Sequence, residues 1–118
     1  LRDKRKFALA MENFAVRWLN VRKLLKERFG KTPDLEGMLY LIGINELNAA
    51  PTTQFSKEQK QDLMHIGVCT LLSQVGFYRF THHDEDGWPH FEQLKKIDAE
   101  HLKEQEQLLK ECAIRYFE

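Results

Sequence analysis

Two ten-residue runs, Met38 to Leu47 and Leu63 to Leu72, are apolar almost all the way round a helical wheel, and this constrains the architecture more than any other feature of the chain. A helix that is greasy on every side cannot lie at the surface of a small domain, so the two runs must be central and must pack on each other. Gly37 just before the first run and Gly43 within it leave room for a neighbour to approach closely, and Gly67 sits singly within the second.

Around this pair the spacing predicts two further helices. Phe7, Met11, Phe14, Trp18, Leu25 and Phe29 recur at helical steps from Asp3 to Phe29, with Gly30 placed to end that segment and Lys26 and Arg28 suited to its negative end. Thr32-Pro33-Asp34 reads as cap, first-turn proline and first-turn acid of the second helix, which runs to about Asn48. Ser56 and Gln59 form a capping box that opens the third, which runs to about Gln74. Phe77-Tyr78-Arg79-Phe80 is too short and aromatic for a helix and is expected to be extended, pairing with Thr52 to Phe55 or with another subunit. Pro89 then reads as the start of a fourth helix reaching Phe117, with Phe91, Leu94, Leu102, Leu108, Leu109, Cys112 and Tyr116 facing inward. The expected fold is all-α, an antiparallel four-helix bundle with short connections, in a single domain over residues 1–118.

Composition excludes several classes of function. Eighteen basic and eighteen acidic residues give a net charge of +0, so the chain has no overall field toward nucleic acid or an anionic membrane surface. No apolar run reaches the roughly 20 residues of a spanning helix, and Leu1 to Lys6 is charged without a signal-type apolar core behind it. The cytoplasm is the default expectation. Cys69 and Cys112 sit within apolar helical patterns, where reduced, buried thiols are ordinary.

Polar residues at core positions mark the candidate chemistry. Glu58, Asp62, His65 and Cys69 line one edge of the third helix, Glu46 continues the stripe of Leu35, Leu39 and Ile42 on the second, and Asp98, His101 and Gln105 interrupt the inner face of the fourth. Asp62 to His65 and Asp98 to His101 are both Asp-x-x-His, an i, i+3 spacing that offers a carboxylate and an imidazole to one ion. With Glu46 they make a conceivable cage for iron, manganese or zinc. The pattern resembles the ferritin-like di-iron bundles, with Asp here in place of Glu. The ordinary alternative is two local pairs at the half-exposed edge of a bundle.

Thr81 to His90 gathers three of the five histidines with Asp84, Glu85 and Asp86. As a calcium loop aligned on Gly87 it would begin with His82 and end with Gln93, where Asp and Glu are needed. Its ordinary reading is a set of acids before a helix N-terminus. Nucleophilic catalysis finds only Cys69, one turn after His65 in an apolar run, and no phosphate-binding glycine loop is present. Phe77, Tyr78, Phe80 and Trp88 bracket one connection and, with Arg79, have the composition of interface anchors for a second copy or a protein partner.

The blocks Asp34 to Leu47, Asp62 to His65 and Asp84 to His90 resemble an uncharacterised family of small bacterial proteins. That resemblance implies a stand-alone bacterial protein and carries no activity.

Overall fold

The computed structural model describes the backbone of residues 2–50, 52–97 and 102–118, and the side chains of residues 12–50, 52–97 and 103–118. Its elements are α1 (Arg2–Phe29), α2 (Leu35–Leu47), α3 (Lys57–Ser73), β1 (Tyr78–His83), β2 (Pro89–Gln93) and α4 (Leu102–Phe117).

The apolar pair forms as the sequence requires, and two glycines set its separation. A Cβ on Gly43 would lie 2.7 Å from the carbonyl carbon of Leu63, and one on Gly67 would lie 2.9 Å from that of Leu39. Position 43 thus meets 63 while 67 meets 39, so α2 and α3 cross antiparallel with backbone against backbone. Gly37 has a different role, its open side facing Pro33 and Asp34 of its own helix start. Met38, Ile42, Leu63 and Leu71 are fully buried around the crossing.

One core cluster joins this pair to α1 and α4 through Val21, Leu25, Cys112, Ala113 and Ile114. Phe14 and Trp18 pack at its edge, while Phe29 stays 44% exposed. Phe7 and Met11 lie outside the described side chains. The Arg17 guanidinium grips the Glu118 carboxylate with two bonds of 2.9 and 2.6 Å, clamping α1 to the end of the chain. A second cluster, Ile44, Leu63 and Ile66, is covered by Phe55, Trp88 and Phe91.

Helix ends follow local chemistry. Gly30 takes a left-handed φ of +79° and donates to Lys26 O. The Ser56–Gln59 capping box is present in both directions. The start of α2 falls two residues later than expected: Asp34 rather than Thr32 is the cap, its carboxylate accepting from Gly37 N at 2.8 Å.

The all-α four-helix bundle is overturned by β1 and β2, which form a two-stranded antiparallel sheet. Phe77 to Phe80 is extended as expected from Tyr78 on, but its partner is Pro89–Gln93 rather than Thr52 to Phe55. The fourth helix therefore does not begin at Pro89. The cause is the turn: Asp84 Oδ1 accepts from Asp86 N at 3.0 Å and Trp88 N at 2.9 Å, while Gly87, at φ +86°, donates to Asp84 O. A turn followed by a left-handed glycine reverses the chain into a hairpin. The acids serve that reversal, not a helix N-terminus.

Because the glycine crossing leaves no space for a methyl group, Gly43→Ala and Gly67→Ala should each cost about 3 kcal/mol or more. Urea unfolding followed by circular dichroism will measure this. Gly30→Ala, with open space but a strained φ, should cost less.

Candidate functional site

The hairpin rests on α3, and a groove of about 270 Å³ opens between them, lined by Asp62, His65, Ile66, Asp84, Trp88, Pro89 and His90. Two clusters of the sequence, one on α3 and one in the turn, thus share one site. Asp62 and His65 are there because an i, i+3 step on α3 places both on the hairpin side. Asp84 and His90 are there because the turn returns β2 across the helix. Trp88 is half-buried and meets Phe55 edge-on at 6.5 Å, anchoring the groove's wall.

Asp84 is the most heavily used side chain of the site. Its Oδ1 holds the turn, and its Oδ2 accepts from His90 Nε2 at 2.9 Å. The His90 bond first, then the Trp88 and Asp86 N–H groups, hold its carboxyl below the usual value. Asp62, by contrast, is exposed and has no hydrogen-bond or ion-pair partner among the described residues. Beneath the groove, His65 Nε2 lies 3.5 Å from Cys69 Sγ, and Tyr78 meets the His65 ring edge-on at 6.5 Å. Cys69 is 2% exposed, and burial pushes its thiol up to about 11. A thiol so protonated and enclosed is a core group, not an activated nucleophile.

One face of the hairpin carries a second arrangement. Residues paired across an antiparallel ladder share a face, so Arg79, Glu92, His82 and His90 stand together, and the shift of register between Phe80 and His82 puts Thr81 out of step. Arg79 is ion-paired with Glu92. The His82 and His90 rings stack with centres 4.8 Å apart and planes 5° apart.

The expected metal cage is only partly within view. Glu46 turns toward α4, where its Oε1 accepts from the Tyr116 hydroxyl at 2.7 Å. Asn45 donates to the same hydroxyl at 2.6 Å. Desolvation and then the Glu46 bond push the Tyr116 hydroxyl up to about 12. Asp62 and His65 line the groove, and Asp98 and His101 lie outside the described residues. Among the described residues, no three His, Cys, Asp or Glu side chains converge to hold a metal ion.

The expected interface anchors separate by burial. Phe77 is half-buried beside Val68, Leu72 and Leu108, Tyr78 is half-buried against His65, and Trp88 belongs to the second core cluster. Phe80 alone among the four is exposed, at 45%, lying against Phe91 and His83. The spacing on α3 revealed Asp62 and His65, but not their neighbours Asp84 and His90. Asp86-Gly87 flanked by aromatic residues was the signal that could have found them, since it is a hairpin-turn dipeptide. Compared with known proteins, the chain matches no family model, no curated protein and no solved structure.

Two outcomes follow. In the native protein at pH 8 neither Cys69 nor Cys112 should react with a thiol-specific disulfide reagent, whereas both should react in denaturant. Since the folded Asp84 carboxyl titrates below its unfolded value, its stabilisation is complete above the ordinary carboxylate range and is lost as pH falls through the folded value. The thermal midpoint of the wild type should therefore fall on acidification below about pH 4, and this acid limb should flatten in Asp84→Asn.

Proposed function

We propose that the protein is a self-associating or protein-binding module that docks through its β-hairpin. The observation that carries this reading is the exposed Phe80 on a strand that lacks a second neighbour. The sheet has only two strands, so among the described residues each has one side without a strand beside it. An open strand edge offers backbone N–H and C=O groups to an incoming strand, and an adjacent side chain gives the addition its selectivity. Phe80 to His83 are all exposed, and Phe80 contributes a large aromatic surface of the kind that anchors interfaces.

The scaffold supports this use. Trp88 and Phe91 dock the hairpin on Ile44, Leu63 and Ile66, so the edge is presented on a packed base rather than on a floppy ribbon. The Asp62 carboxylate at the groove adds a free charge that a basic side chain of the docked chain can pair with. At net charge +0, two copies meet without overall repulsion.

Light scattering on a size-exclusion column over a wide concentration range tests the self-associating form. Wild type should show a concentration-dependent rise in mass, with slowed hydrogen exchange along β1. Phe80→Ser, a change at an exposed site, should return the chain to a monomer with unaltered circular dichroism. A wild type that stays monomeric at every concentration would remove self-association.

A further inference from the structure

We infer that the narrow pocket between α3, α4 and the two ends of the hairpin is a binding site for a small neutral amphiphile, an alcohol or primary amide with a short alkyl chain. The pocket offers about 70 Å³ of space. Val68 and Leu72 supply one wall from successive turns of α3, Leu108 and Leu109 supply a second from α4, and Phe77 and Ile97, which flank the hairpin, complete it. Of these only Leu72 is buried. The other five are half-buried, large apolar side chains that line the same space and still reach solvent.

The walls are fixed from both sides. Phe77 N donates to Leu72 O at 3.1 Å, and Phe77 O accepts from Leu94 N at 2.8 Å and Lys95 N at 3.4 Å, so the backbone ties this wall to α3 and to the far end of the hairpin. Leu108 and Leu109 pack on the main core cluster. Side chains anchored in this way do not collapse into the space they line, and the dispersion contacts they forgo are restored by an alkyl group. Water is a poor occupant: it needs about 2–4 polar partners, and Gln105 is the only polar side chain among the described residues that line the pocket. Size and charge select the class. Apolar cavities of roughly 150 Å³ hold benzene, so about half that volume suits a chain of about three or four carbons rather than a ring. No charged side chain is among the described lining residues, so an ionised head group would go unpaired, which favours a neutral head over a carboxylate or an ammonium. Gln105 matches such a head: its amide carries two N–H donors and a carbonyl with two lone pairs, enough to serve a ligand beside another partner.

Methyl-resolved NMR titration of the chain with 1-butanol tests the site. Saturable shifts are expected at the methyl groups of Val68, Leu72, Ile97, Leu108 and Leu109. Methanol, too short to fill the pocket, and butyrate, which carries a charge, should each bind at least about tenfold more weakly. Val68→Phe, which places a ring in the pocket, should abolish the shifts, and Gln105→Leu should weaken 1-butanol by about threefold or more. Should circular dichroism show Val68→Phe to be unfolded, Gln105→Leu and the ranking of the three probes decide the matter. No saturable shift in wild type, shifts spread evenly over the methyl groups of both core clusters, methanol or butyrate binding as well as 1-butanol, or unchanged affinity in Gln105→Leu or a folded Val68→Phe would overturn the site.

Discussion

The fold depends on the meeting of two helix backbones at Gly43 and Gly67. Glycine inside a helix sacrifices about 1 kcal/mol relative to alanine, and α2 and α3 each accept that loss at a central position. The return is close packing: with no side chain between them, the backbone at Leu39 of α2 rests against Gly67 of α3 and that at Leu63 of α3 against Gly43 of α2, and dispersion contacts accumulate along the crossing. Both runs then have apolar surface to spare on their remaining sides. α1 and α4 cover one portion, and the hairpin, with Phe55, covers another. The two core clusters are consequences of one crossing rather than independent cores.

This geometry determines where polar chemistry can stand. On α3, Gly67 meets α2 and Leu71 enters the core shared with α1 and α4, while Leu63 and Ile66 are covered by the hairpin, with Asp62 and His65 beside them at the groove. A second covering helix would have buried them. A two-stranded ribbon covers the apolar cluster with Trp88 and Phe91 while leaving an open groove beside the carboxylate and imidazole. The same economy explains Cys69, whose thiol sits below the groove at hydrogen-bond distance from His65 but in a setting that keeps it protonated.

What the sequence disclosed was what short-range physics decides. The Ser56–Gln59 capping box, the Gly30 stop and the all-round apolar runs each follow from residues within a turn or two of one another, and the structure contains them. The extended run from Tyr78 was legible but its partner Pro89–Gln93 was not, because β1 is exposed at nearly every position and lacks the two-residue alternation that marks a half-buried strand within a sheet. Pro89 meanwhile imitates a helix start, since a proline suits the first residue of a strand and the first turn of a helix alike. Asp62 and His65 were legible as a pair through their spacing. Their company was not, because Asp84 and His90 arrive only through the turn. Glu46 shows the same limit: its partner Tyr116 is 70 residues away, and no local pattern links them.

Asp84 joins these levels. One carboxylate closes the turn through Trp88 N–H and Asp86 N–H, orients the His90 ring, and lines the groove. Trp88, whose backbone it holds, is also the side chain that seats the hairpin on the core. The turn, the docking of the ribbon and the posture of the histidines therefore form one cooperative unit, in which loosening any member weakens the bonds that order the others. By linkage, whatever binds the ordered hairpin and not the frayed one stabilises that unit by its own binding free energy. A ribbon of two strands is only marginally stable by itself, so order at the turn, 84 to 88, is felt in the packing of Trp88 and through it in the seating of the hairpin on the core.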